Sequence, residues 1–238
     1  MKEKRIRMSA ISDNLDEIRL LIKKAAKKSG RTADDVTLIA VTKTYSPDLI
    51  NEAIDCGVTD IGENKVQEIV DKYDSVKPVR WHLIGHLQTN KVKYIIDKVH
   101  MIHSVDSIRL MDEIERQAEK HNVTMNILIQ INISGEESKF GIKPEELEEL
   151  LIHAGTLKNV KVCGLMTILP KVDTEISLRL HFVNIKRIFL DISTKTYDNV
   201  NMKYMSMGMS GDYEIAIEEG SNMVRIGRAI FGERNYNI

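Results

Sequence analysis

Cysteine is scarce in this chain: Cys56 and Cys163 are the two copies in 238 residues. They lie far apart and form no CxxC pair, so neither a disulfide framework nor a structural zinc site is expected. A reducing, cytoplasmic compartment is the default for such usage. Proline is nearly as rare, and its four copies fall at helix starts or in loops. No Gly-x-Gly-x-x-Gly follows the first strand-like run, which argues against an open, doubly wound nucleotide-binding sheet. No apolar run approaches a membrane span, and the opening Met1-Lys2-Glu3-Lys4-Arg5 has no apolar signal core. An excess of one charge is missing too. The 34 basic and 35 acidic side chains leave −1, which gives no general field for nucleic acid or a membrane. The local cluster Lys23, Lys24, Lys27 and Lys28 interleaves with apolar positions and reads as the solvated face of a helix.

What is present is a regular alternation. Hydrophobic residues make up 42% of the chain, enough for a well-packed core. Eight apolar runs read as strands: 36–42, 58–62, 79–84, 99–104, 125–132, 160–167, 202–206 and 222–227. Helical stripes separate them. Ile11, Leu15, Ile18, Ile22 and Ala25 share one face before the first strand. Ser46-Pro47-Asp48 opens another helix, with Ser46 as N-cap and Pro47 at the first helical position. Ser107 and Pro144 open two more, and Leu178, Phe182, Ile185, Phe189 and Ile192 form a long stripe. Alternating β and α elements imply a parallel sheet. Eight of each in this length imply an α/β fold: a single closed (β/α)8 TIM barrel over residues 1–238. The eleven methionines read as core filling.

Lys43 ends the first strand-like run. Burying an ammonium is costly unless it is paired or neutralised, and a desolvated amine is a nucleophile able to form a Schiff base with an aldehyde. A lysine that merely marks the strand's exit into solvent is the plainer reading. Its position at the C-terminal end of a barrel strand, where such folds hold their active sites, favours the functional one. Two loops rich in small residues follow strands seven and eight: Met205-Ser206-Met207-Gly208-Met209-Ser210-Gly211-Asp212, and Gly227-Arg228 through Gly232. Barrels commonly hold a phosphate there, on backbone N–H groups that small residues let an anion approach. Each glycine alone signals no more than a tight turn. Arg225 sits inside an apolar strand and must satisfy several donors, through a barrel-lining salt bridge or a ligand's ring nitrogen.

Taken in order, several motifs carry a resemblance over nearly the whole chain. They are Ala40-Val41-Thr42-Lys43, Ile61-Gly62-Glu63-Asn64-Lys65-Val66-Gln67-Glu68 and Trp81-His82-Leu83-Ile84-Gly85-His86-Leu87-Gln88-Thr89-Asn90-Lys91. Asn132, Gly135-Glu136, Lys139, Gly141 and Gly164-Leu165-Met166-Thr167 follow, then Ser206 to Asp212 and Arg225-Ile226-Gly227. The sequence resembles the pyridoxal phosphate homeostasis proteins, single-domain relatives of the alanine racemase barrel. The resemblance implies that Lys43 holds pyridoxal 5′-phosphate (PLP) as a Schiff base. It also implies that Ser210 and the backbone at Gly227 and Arg228 bind the phosphate and that Arg225 faces the pyridine nitrogen. Asn64, His82, Met166 and Ser206 complete the implied pocket. Without the resemblance, His82 reads as a satisfied core histidine and Met166 as packing. Departures are small: Thr42 where many relatives have serine, Met205 for a common leucine, Gly211 for a frequent alanine, and Arg228 for a frequent hydroxyl residue.

The resemblance implies an intracellular PLP carrier, not an enzyme, that is able to supply apoenzymes. An arginine at the ring nitrogen disfavours its protonation and weakens the electron sink that PLP catalysis needs. Racemases of this fold take a second base from a C-terminal β domain, and too few residues follow Gly232 for one to be expected here. Two other readings stay open. One is a PLP-dependent amino-acid racemase or decarboxylase. The other is a Schiff-base aldolase acting on a sugar phosphate without PLP. A monomer is expected, because relatives lacking the β domain lose that dimer interface.

Overall fold

The computed structural model describes residues 9–136, 139–170 and 174–232. Eight strands run parallel and close into a barrel in sequence order: β1 (Thr37–Val41), β2 (Asp60–Glu63), β3 (Arg80–Leu83), β4 (Met101–Val105), β5 (Met125–Gln130), β6 (Val160–Met166), β7 (Val200–Met209) and β8 (Met223–Ile226). Closure is made by β1 on β8, in the register Thr37↔Met223 to Ala40↔Ile226. Outside the barrel lie α1 (Ala10–Lys28), α2 (Pro47–Asp55), α3 (Val66–Lys72), α4 (Ile108–His121), α5 (Leu147–Ala154), α6 (Glu175–Ser193), α7 (Tyr213–Glu218) and α8 (Arg228–Phe231).

All eight expected strands are present, and the structure adds detail at four places. The first strand ends at Val41, so Lys43 stands in the turn beyond it. The connection from β3 to β4 is not an α-helix but a 3-10 segment, Thr89–Tyr94; Val92, Ile95 and Ile96 still bury their side chains against the barrel. Ser46 occupies the N-cap of α2, yet its side chain makes no capping bond there. Leu178 and Phe189 of the α6 stripe are only partly buried, whereas Phe182, Ile185 and Ile192 are fully packed.

Two apolar layers follow from the period of two along each strand. Outward-facing residues such as Ile61, Leu83, Ile102, Ile127 and Leu165 pack under the helices in one continuous core. Each such side chain contributes roughly 1.5–3 kcal/mol when fully buried. Inward-facing Ile39, Met101, Leu128, Met166 and Met223 form a second, smaller cluster inside the barrel. Met166, read as a pocket residue, is completely buried in that cluster. The rest of the interior is polar, and this is where the site begins.

Candidate functional site

The turn that carries Lys43 is held from both sides. Thr42 is fully buried, and its Oγ1 donates to Glu63 Oε1 at 2.8 Å. Lys72, reaching back from α3, donates from Nζ to the Thr42 carbonyl at 3.0 Å, to Glu63 Oε1 at 2.8 Å and to Glu68 Oε2 at 2.8 Å. On the far side, the Thr44 N–H donates to Glu68 Oε2 at 2.7 Å. Thr44 has φ +69°, a left-handed conformation that costs a non-glycine residue roughly 1–3 kcal/mol and persists only where neighbours enforce it. Tyr45 then stacks near Phe231 and donates its hydroxyl to the Gly232 carbonyl at 2.8 Å. Lys43 itself is half-buried, less desolvated than a lysine inside a strand.

Glu63 and Glu68 differ in charge balance. Burial pushes the Glu63 carboxyl up, and Lys72 opposes this without cancelling it. Its second oxygen, Oε2, has no hydrogen-bond partner. Burial also acts on Glu68, but bonds from Lys72 and the Thr44 N–H outweigh it and hold that carboxyl below the ordinary range.

Arg225 forms the floor. It is 4% exposed, and it donates from Nη1 to Ser206 Oγ at 2.6 Å and from Nη2 to the Thr167 carbonyl at 2.8 Å. Both partners are neutral oxygens. Burial pushes the guanidinium down to about 10, against the favourable field of Asp212, so it remains charged at neutral pH. Because Ile39 pairs with Arg225 across the closing strands, the chain after β1 rises beside the chain after β8. A Cβ added to Gly227 would sit 3.2 Å from the Val41 carbonyl.

The small-residue loops meet there. The Gly227 N–H donates to Ser210 Oγ at 3.3 Å. Asp212 closes the preceding turn by accepting from the Met209 N–H at 2.5 Å. Gly208 at φ +93° is required: a Cβ there would lie 2.6 Å from that of Ala216. Gly85 has a comparable role between β2 and β3, where a Cβ would strike the Asn64 carbonyl at 2.2 Å. Asn64 is half-buried beyond β2, and Arg228 is exposed at the start of α8. Ser210 and Gly227 thus meet beyond β8, beside the chain that runs from Val41 to Lys43. His82 does not line the barrel's C-terminal mouth. It is fully buried, with Nε2 on Asp60 Oδ1 and Nδ1 on His103 Nε2, both at 2.9 Å, which is the core-histidine reading.

Residues 6–235 match the family model described as alanine racemase, N-terminal domain. The pyridoxal phosphate homeostasis protein of Aquifex aeolicus is 44% identical over 226 residues, covering 94% of this chain and 98% of that relative. The chain belongs to the pyridoxal phosphate homeostasis protein family. Among solved structures, an unknown protein from Bifidobacterium adolescentis is 36% identical with a TM-score of 0.89, covering 97% of each chain. PipY of Synechococcus elongatus, solved with PLP bound, is 28% identical with a TM-score of 0.81, covering 93% of this chain and all of that one.

Within this family member, Lys72, Glu63, Thr167 and His103 are structural participants that the sequence reading did not assign. Glu63 and Thr167 lie inside motifs already noted, so a question about what surrounds Lys43 and Arg225 would have reached them. Lys72 and His103 carried no such signal. No helix among the described residues is long and apolar enough to cross a membrane.

Proposed function

We propose that this protein captures PLP at the mouth of the barrel, with Lys43 as the amine that takes its aldehyde, and serves intracellular PLP homeostasis. The observation that carries the proposal is the register of the closing strands. Ile39 beside Arg225 brings the Lys43 turn, the Gly227 backbone and the Ser210 hydroxyl around one buried guanidinium. The donor set suits the group: a cation with neutral partners for a ring nitrogen, N–H and O–H donors for a phosphate, and an amine for an aldehyde. Bound there, PLP supplies an electrophilic carbonyl on an electron-withdrawing ring.

Lys43 would hold the group through its amine, its nitrogen replacing the aldehyde oxygen, which leaves as water. Ser210 and the Gly227 and Arg228 backbone hold the phosphate. Arg225 donates to the ring nitrogen and disfavours its protonation, which suits storage better than carbanion chemistry. Asn64 borders the pocket. Ser206 and Met166 lie beneath it, the first orienting Arg225 and the second packing the barrel. The protein acts as a carrier, not an enzyme: it is a monomer that shields a reactive aldehyde and supplies PLP-dependent apoenzymes.

The test is direct. Purified protein soaked in PLP turns yellow, and borohydride followed by peptide mass mapping places the reduced adduct on Lys43. Lys43→Ala stays colourless. A wild-type preparation that remains colourless, or an adduct on another lysine, refutes the assignment. Mixing loaded protein with an apoenzyme and a PLP trap separates direct hand-over from release into solution. Chiral assays across amino acids that found turnover lost in Lys43→Ala would replace the carrier with an enzyme.

A further inference from the structure

A chain of hydrogen bonds crosses the barrel interior from its N-terminal end to the floor of the site. At the lower end, Asp60 accepts from Arg80 Nε at 2.7 Å and Nη2 at 2.6 Å, and from Thr59 Oγ1 at 2.7 Å. His82 Nε2 lies 2.9 Å from Asp60 Oδ1, His82 Nδ1 lies 2.9 Å from His103 Nε2, and His103 Nδ1 lies 3.1 Å from Ser206 Oγ. Ser206 receives Arg225 Nη1 at 2.6 Å. Asp60, His82, His103 and Ser206 come from four strands, β2, β3, β4 and β7, and none is more than 2% exposed.

Chemistry fixes the direction of the two end links. A guanidinium only donates, and an ionised carboxylate only accepts. Burial pushes the Asp60 carboxyl up, but bonds from His82, Arg80 and Thr59 outweigh it and keep it ionised. His82 must therefore present a proton on Nε2 to Asp60. Burial, aided by the charge of Arg225, holds His103 far below the usual imidazole range and hence neutral. With one proton on each ring, the assignment that fills every contact runs one way: Arg225 to Ser206, Ser206 to His103 Nδ1, His103 Nε2 to His82 Nδ1, and His82 Nε2 to Asp60.

We propose that His103 is a positioning residue for the cofactor site: by taking the Ser206 hydroxyl proton it leaves that oxygen a pure acceptor and so locks the plane of Arg225. Thr167 fixes a second donor of the same guanidinium, so the free edge of Arg225 points in one direction only. Asp60, at the opposite end of the barrel, sets the tautomers that make this possible. The inference rests on the PLP reading only for what Arg225 faces. The polarity of the chain is a property of the protein alone.

Two measurements separate the two claims. Nitrogen-15 NMR of the ligand-free protein at neutral pH is expected to find His82 and His103 both neutral and both protonated on Nε2. An Nδ1–H tautomer at either ring overturns the relay whatever the protein binds. In the second measurement His103→Leu removes the acceptor, whereas His103→Asn places a carbonyl oxygen where Nδ1 was. The leucine variant is expected to bind PLP roughly tenfold more weakly, the scale of one charge-assisted bond, and to shift the absorbance band of the bound chromophore. The asparagine variant is expected to restore both. Equal weakening in the two variants with an unshifted band shows that His103 only fills space, and overturns the positioning role. Wild-type protein that binds no PLP, with both tautomers as stated, overturns the cofactor reading while the direction of the chain stands.

Discussion

Lys72→Met tests the idea that the Lys43 turn is held by charge. Methionine keeps most of the volume and removes three bonds, to the Thr42 carbonyl, Glu63 and Glu68. Glu63, fully buried, is left with Thr42 Oγ1 as its donor. Breaking a buried pair from one side costs about 3–5 kcal/mol. A second route gives a ceiling. The carboxyl can escape its penalty by taking up a proton, and neutralising one of ordinary pKa about 4.3 at pH 7 costs at most roughly 3.7 kcal/mol. The two figures meet near about 3–4 kcal/mol. In a chain of this size each kcal/mol moves Tm by about 2–4 °C, so a fall of roughly 6–16 °C is expected.

The pH dependence carries the sign. Burial already raises the Glu63 carboxyl in the folded state, and Lys72 is the chief group opposing that rise. Without Lys72 the folded protein holds the proton to higher pH than the unfolded chain does. Stability must then fall as pH rises above the ordinary carboxylate range. The deficit of Lys72→Met is expected to be small near pH 4 and largest at neutrality, and the added substitution Glu63→Gln should recover part of it. Urea melts of the ligand-free protein at several pH values check this. A loss under about 1 kcal/mol at pH 7, or a deficit that does not change with pH, refutes the argument.

Other predictions follow from the same contacts. Ser210→Ala should weaken PLP binding by about 1.5–3 kcal/mol, the usual size for a bond to a charged group; unchanged affinity in a fluorescence titration argues against the phosphate assignment. Gly208→Ala should destabilise by at least about 2 kcal/mol, from backbone strain and the collision with Ala216 together, read as a lowered denaturation midpoint. Because the folded Asp60 carboxyl is depressed, its contribution is present above the unfolded pKa of about 3.9 and is lost as pH falls towards the folded value. The stability gap between wild type and Asp60→Asn should therefore be flat near neutrality and narrow in acid; a constant gap down to pH ~2 contradicts this.

The barrel was legible because its evidence is local. Runs such as Leu38-Ile39-Ala40-Val41 and Ile127-Leu128-Ile129 bury both faces, and apolar stripes such as Leu110, Met111 and Ile114 mark the intervening helices. The β3–β4 connection departs from the regular alternation, since it forms 3-10 turns over Thr89–Tyr94 where the pattern calls for an α-helix. Lys43, Ser210 and Arg225 stand out as candidates because each is odd where it stands: a lysine at a strand's end, a hydroxyl among glycines, an arginine in an apolar strand. The supporting groups are not odd locally. Lys72 looks like the last-turn lysine of any amphipathic helix, and nothing near it in sequence says that it turns inward to Thr42. His82 and His103 are 21 positions apart and become neighbours only once β3 pairs with β4, a register that no single stretch encodes.

The two halves of the site are braced from different directions. The Lys43 turn is held through Glu63, Lys72 and Glu68, all from β2 and α3. Arg225 is held through Ser206 and Thr167, and beyond Ser206 by the polar chain to Asp60. The two braces share β2, which carries both Glu63 and Asp60, and the pairing of β1 with β8 joins their upper ends. The separation of the Lys43 backbone from the strand of Arg225 is therefore set by backbone register. A preorganised frame lowers the ordering cost of binding, so a ligand that spans both groups can be held without new contacts being built around it. The Lys43 turn is itself pinned on both sides of the lysine, by the Thr44 N–H on Glu68 and by the Tyr45 N–H on the Thr42 carbonyl at 3.1 Å.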